Sequence, residues 1–172
     1  MTQQNPSYAD WQPTLQRVMT YLVGKIEDYS RVCKERTGEP AYEHLIYRVK
    51  SIDSMNEKCV RKGLPVSARS ALRELMMPYK DRLKANIKSS KRTLNDAIGI
   101  RIVCRFIDDI YTNLEAIRSF PFCRIIKEKD YISHVKPNGY RSYHIIIEVT
   151  APFEDIDGKN PGRFFAELQL RT

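Results

Sequence analysis

Cysteine is scarce and unpatterned here: among 172 residues there are four, Cys33, Cys59, Cys104 and Cys123, and no two stand as C-x-x-C. That excludes zinc ribbons and thioredoxin-like redox motifs, whose chemistry needs closely spaced thiols. Reduced thiols in a cytoplasmic protein, with no disulfide, are the expectation. No apolar run comes near the ~18–20 residues that a membrane-crossing helix needs. The start, MTQQNPSYADWQP, has no basic segment followed by an apolar one, so no secretory signal is expected there. The phosphate loop G-x-x-x-x-G-K-[ST] is missing, as are G-x-G-x-x-G, H-E-x-x-H and G-x-S-x-G. His44, His134 and His144 have no aspartate beside them, which argues against a two-histidine metal phosphohydrolase. There is no internal repeat.

What the chain has is positive charge. Its 29 Lys and Arg against 21 Asp and Glu leave a formal charge of +8. Such a surplus favours an anionic partner: nucleic acid, acidic lipid or a polyphosphate nucleotide. The length suits one domain with a hydrophobic core.

Apolar residues recur at helical spacing from Tyr8 to about Arg36 (Trp11, Leu15, Val18, Leu22, Ile26, Tyr29, Cys33), with Gly38 as the stop and residues 1–38 as an N-terminal helical unit. A strand is expected over residues 43–51, then a helix over Ile52–Lys62 ending at Gly63 and Pro65. Residues 67–92 read as a basic segment, helical or mobile, with a solvated linker the plainest account and an RNA surface the alternative. After it come a short helical turn and a strand over Ile100–Phe106, the helix IDDIYTNLEAIRSF and the strand RIIKEKDYI. The turn KPNGYRS, the strand YHIIIEV, a reversal over residues 152–162 and the strand RFFAELQLRT complete the chain. This order implies an α/β fold: one mixed sheet of about five strands flanked by helices.

Strand alternation sorts the polar residues. Glu167, Gln169 and Arg171 share one face of the last strand, opposite Ala166, Leu168 and Leu170. On an edge strand that would be a merely wet face. Yet Ser142, His144 and Glu148 also share a side, as do Arg101 with Arg105 and Arg48 with Lys50. Ser54, Lys58, Arg61 and Lys62 form one helical stripe, which alone is most simply a solvated face. Asp96, just ahead of Gly99, is either a salt-bridge anchor or a magnesium ligand, with Glu167 as a possible second carboxylate. The turn KPNGYRSYH gathers lysine, arginine, histidine and two tyrosines around Asn138-Gly139, groups suited to phosphates and flat bases.

Four blocks in order, YRVKSIDSMNEKCVRKG, LNDAIGIRIVCRFIDDIY, KEKDYISHVKPNGYRSYH and AELQLRT, resemble the RelA/SpoT synthetase domain, most closely the stand-alone small alarmone synthetases. The resemblance implies a nucleotidyltransferase-like fold forming a single synthetase domain over 1–172. It also implies transfer of pyrophosphate from ATP to the 3′-hydroxyl of GDP or GTP, releasing AMP. By the same resemblance Asp96 holds Mg²⁺, and Glu167 aids the metal or takes the 3′-hydroxyl proton. Arg48 and Arg101 sandwich adenine, while Lys50, Ser54, Lys58 and Arg61 or Lys62 hold phosphates. Tyr140 stacks on guanine, with Lys136, Asn138, His144 and Gln169 around the acceptor. KEKDY is similar to the family's basic R-x-K-D loop, with Lys127 in the arginine's place. Family members continue past ELQLRT into helices bearing a tryptophan and a Glu-His pair, which help assemble oligomers; this sequence ends at Thr172, and the oligomeric state is not legible in it. Two alternatives stand: a toxic-type relative acting on the tRNA 3′ end or adenosine nucleotides, and a non-catalytic nucleotide or RNA binder.

Overall fold

The computed structural model describes residues 7–63 and 95–172; the basic segment 67–92 lies outside the described residues. Helix α1 spans Tyr8–Thr37. It starts where Ser7 and Asp10 cap each other, the Ser7 N–H donating to the Asp10 carboxylate at 2.8 Å. It stops at Gly38, whose φ of 83° puts the chain in the left-handed conformation that glycine adopts without strain. Strand β1 (His44–Val49) follows, then α2 (Ile52–Arg61), capped by Ser51.

Strand β2 covers Ile98–Val103, so it starts and ends earlier than the expected Ile100–Phe106, and residues 95–97 form no helical turn. The early end has a local cause. The Phe106 N–H donates to the Asp109 carboxylate at 3.0 Å, which starts α3 (Ile107–Ser119) instead of prolonging the strand. Strands β3 (Cys123–Asp130), β4 (Tyr143–Ala151) and β5 (Gly162–Arg171) complete the sheet.

The strand order is β1-β2-β5-β4-β3, with β2 and β5 parallel and the other pairs antiparallel. The last strand is therefore central, flanked on both sides. Edge exposure cannot account for its polar face.

One face of the sheet, with Ile98, Ile100, Ile102, Ala166, Leu168, Leu170, Ile145 and Ile147, is buried in a core shared with the apolar stripes of α1 and α3. Each such Leu or Ile contributes about 1.5–3 kcal/mol when fully buried, so this face fixes the register. Register then dictates the opposite face. Arg48 lies opposite Gly99, Ile46 opposite Arg101, Gly99 beside Glu167, Arg101 beside Gln169, and His144 opposite Gln169.

In β3 the register shifts between Ile125 and Lys127. This bulge reverses the alternation, so that Lys127 opposite Ile146 and Lys129 opposite His144 join the polar face. Glu128 falls on the core side, where it accepts from Tyr143 Oη at 2.9 Å and pairs with Arg118 of α3 at 2.5 Å. Among the described residues no helix is long and apolar enough to cross a membrane.

Candidate active site

Two cavities, of about 250 and 260 Å³, open on the polar face, and both are lined by Asp96 and Glu167. The first is rich in lysine: Lys58, Lys62, Lys127, Lys129 and Lys136 line it together with Asn95, Tyr131 and His144. The second holds Arg48, Lys50, Arg101 and Gln169 over a floor that includes Gly99.

Asp96 owes its place to a backbone bond. The Lys50 N–H donates to the Ala97 carbonyl at 2.8 Å, bringing the ends of β1 and β2 together. Tyr8 Oη then donates to the Lys50 carbonyl at 2.6 Å, and burial, reinforced by the Asp96 charge, pushes this phenol up to about 12. Lys50 Nζ reaches Asp96 Oδ2 at 2.7 Å, and Lys58 pairs with Oδ1. Burial alone would raise the Asp96 pKa, but hydrogen bonds from Lys50 and Lys58 and their charges outweigh it, and the carboxyl titrates below its ordinary range. Lys62 moves the opposite way: burial lowers its pKa, and the Lys58 charge lowers it further.

Glu167 sits in a hydrogen-bonded chain. Its Oε1 lies 3.4 Å from His144 Nδ1, and His144 Nε2 lies 2.9 Å from Tyr140 Oη. A proton on Nδ1 makes the imidazole a donor to the carboxylate and an acceptor from the phenol.

A model of the region found in RelA/SpoT proteins matches residues 47–172. The chain belongs to the RelA/SpoT family. It is 35% identical over 136 residues to GTP pyrophosphokinase YwaC and 31% identical over 130 residues to GTP pyrophosphokinase YjbM, both from Bacillus subtilis. Those alignments cover 78% and 76% of this chain but 53% and 49% of the relatives, so the chain spans about half their length. Among solved structures, a GTP pyrophosphokinase family protein from Streptococcus pneumoniae superposes with a TM-score of 0.71 at 27% identity, over 96% of this chain and 69% of that one. Small alarmone synthetase 1 from Bacillus subtilis, bound to its product pppGpp, gives a TM-score of 0.70 at 26% identity, over 94% and 72%.

Within this RelA/SpoT domain the expected site residues divide. Arg48, Lys50 and Arg101 line the second cavity; Lys58, Lys62, Lys136 and His144 line the first. Gln169, expected near the acceptor groups, stands opposite His144 and lines the arginine cavity, accepting from Arg101 at 3.3 Å. Ser54 stands at the start of α2 hydrogen-bonded to Ser51, and Arg61 is exposed; neither lines either of these two cavities. Asn138 uses its side-chain oxygen to accept from the Tyr140 N–H at 3.1 Å, closing the turn in which Gly139 has a φ of 77°.

Three neighbours expected from alternation go elsewhere. Arg105 lies beyond the end of β2 and pairs with Glu39 at 2.6 Å. Ser142 is fully buried and donates to the Leu170 carbonyl, and Glu148 pairs with Arg124 and Arg163. Tyr143, the turn's second tyrosine, is buried with the core. Sequence reasoning missed Asn95, Gly99, Lys129 and Tyr131; the signal for Lys129 was the basic KEKDY run, and the bulge hid its direction. The four cysteines are free, and burial pushes Cys104 to about 12 and Cys123 to about 11.

Proposed function

We propose that this RelA/SpoT domain is a GTP pyrophosphokinase, transferring the β,γ-pyrophosphate of ATP to the 3′-hydroxyl of GDP or GTP. One observation carries the reading: two cavities of nucleotide-binding character meet at a shared pair of carboxylates, Asp96 and Glu167. The relatives named GTP pyrophosphokinase support it. The arginine cavity takes ATP. Arg48 is opposite Gly99 and Arg101 is two residues further on, so the two guanidinium groups start from diagonal positions about 7–8 Å apart, room for one flat base between them. The lysine cavity takes the acceptor, its five lysines offsetting the repulsion between two polyphosphates brought together.

In the reaction the acceptor's 3′-oxygen bonds to the β-phosphorus of ATP, and the bond from that phosphorus to the oxygen bridging it to the α-phosphorus breaks. AMP leaves with the bridging oxygen, and the hydroxyl proton passes to Glu167. His144, between Glu167 and Tyr140, holds that carboxylate in place. Lys50 and Lys58, which neutralise Asp96 in the free protein, are placed to turn toward the phosphates.

Among the described residues no group of three or more His, Cys, Asp or Glu is arranged to hold a metal. Mg²⁺ nonetheless fits the donor set, because it needs only one or two protein carboxylates and completes its shell with water and phosphate oxygens. Asp96 and Glu167 would hold it, and when bound it would neutralise charge on the transferring group. The protein is expected in the cytoplasm, and a homo-oligomer is the assembly to test for.

The test is purified protein with ATP and Mg²⁺ and, in parallel, GDP, GTP, further ATP or tRNA as acceptor. AMP together with a 3′-pyrophosphorylated guanosine nucleotide is the expected product. AMP formed only with tRNA or only with adenosine nucleotides, or no AMP at all, overturns the proposal.

A further inference from the structure

Tyr131 follows the last residue of β3 and is held by its backbone, its N–H donating to the Ser142 carbonyl at 3.0 Å. The turn it opens is tied to Asp130, whose carboxylate accepts from the N–H groups of Ile132 and Ser133 at 2.8 and 2.9 Å and from Ser133 Oγ at 2.6 Å. The ring is half-buried, lines the lysine cavity, and belongs neither to the hydrophobic core nor to the residues packed against it. Its ring contacts lie in the turn and on β4. It meets His144 edge-on, with centroids 5.4 Å apart at 84°, and Tyr140 at 6.2 Å and 65°. The Lys136 ammonium sits 4.2 Å above its centre and 5.2 Å from that of Tyr140.

We infer that Tyr131 is a positioning residue for the acceptor nucleotide: its ring seats the Lys136 ammonium and braces the imidazole of His144, so that both face the incoming phosphates and 3′-hydroxyl. The inference rests on the lysine cavity being the acceptor site. Its physical basis is entropy. Residues 136–139 are all exposed, and a lysine on an exposed turn otherwise samples many rotamers. A ring face beneath the ammonium confines it without consuming its charge, since the attraction is to the ring quadrupole. The same ring fixes the plane of His144, and through it the line from Tyr140 Oη to Glu167.

The experiment measures GDP and non-hydrolysable ATP-analogue binding calorimetrically for wild type, Tyr131→Phe, Tyr131→Leu, Lys136→Met and the Leu/Met double variant. Tyr131→Leu is expected to weaken GDP binding about ten-fold while leaving the ATP analogue within about two-fold. Tyr131→Phe, which keeps the ring, should stay within about two-fold of wild type for both. Tyr131→Leu should weaken GDP binding less in the Lys136→Met background than in wild type, because the part of its effect that runs through the Lys136 ammonium is already gone.

Unchanged GDP affinity in Tyr131→Leu, equal weakening of both nucleotides, or additive losses overturn the inference. Wild type that binds the ATP analogue but not GDP defeats instead the assignment of the cavity, and the inference falls with it. Should Tyr131→Leu fail to fold, NMR of reductively ¹³C-methylated wild type gives the answer. One lysine signal should be displaced upfield by ring current and vanish in Lys136→Met, and its absence overturns the inference.

Discussion

Lys50 Nζ lies 2.7 Å from Asp96 Oδ2, and Lys58 holds the other oxygen of the same carboxylate, so one acid satisfies two largely buried ammonium groups. The folded pKa of Asp96 is lowered from an unfolded value near 3.9. A group shifted in that direction stabilises the fold fully above its unfolded pKa and loses that contribution as pH falls through the folded value, here below about pH 4. Asp96→Asn should therefore cost about 1–3 kcal/mol at neutral pH by leaving the two lysines short of a counter-charge. Denaturant unfolding at pH 7 and pH 3 checks this: the gap between wild type and variant should narrow in acid. A gap that stays constant would show that the carboxylate's charge contributes nothing.

Glu167→Gln separates binding from chemistry. The amide keeps an oxygen toward His144 but cannot take a proton at the carboxylate's cost. Nucleotide affinities measured without Mg²⁺ should hold within about three-fold, while AMP release in its presence falls by ~10²–10⁴-fold, the usual worth of a positioned base. Turnover close to wild type would remove Glu167 from the proton transfer and leave it a ligand or an anchor.

Gly99 forms part of the floor of the arginine cavity, and a Cβ built there meets nothing within 4 Å. It lies opposite Arg48 and beside Glu167, so any side chain would enter the space given to the nucleotide. No folding requirement for glycine is visible, since its φ lies outside the left-handed range and β-branched residues suit strands. Gly99→Val is expected to weaken ATP-analogue binding at least ten-fold with the thermal midpoint held or raised. A drop in stability with binding intact would mean that the position serves the fold.

The alternation of Ala166, Leu168 and Leu170 with Glu167 and Gln169 announced the polar face, because a half-buried strand must segregate its residues at period two. Asp96 was legible as a carboxylate placed among cations ahead of a buried strand. What pattern could not supply was neighbourhood. A strand read alone does not say whether it is central, and β5 gains its meaning from lying between β2 and β4. The bulge at Ile125/Lys127 inverts the reading of every later β3 residue, turning Lys127 and Lys129 toward the site and Glu128 away from it. Tyr131 was invisible for another reason: its contacts are with residues of the turn and of β4, and no local periodicity marks them.

Arg101 and Arg105 make the sharpest contrast between pattern and structure. Counting by twos puts them on one face, but β2 ends at Val103 and the chain turns between them. Arg105 pairs with Glu39 at 2.6 Å and donates to the Pro40 carbonyl at 3.3 Å, tying the segment after β2 to the loop between α1 and β1. Arg101 stays on the cavity face beside Gln169, where a guanidinium plane can lie on a base. Arg101→Ala should weaken ATP-analogue binding about ten-fold with little change in thermal stability. Arg105→Ala should leave that affinity within about two-fold and lower the thermal midpoint slightly, as expected for an exposed ion pair. Calorimetric titration beside thermal unfolding of both variants reads the two effects separately. If Arg105→Ala lost as much nucleotide affinity as Arg101→Ala, the arginine cavity would have to extend beyond the end of β2.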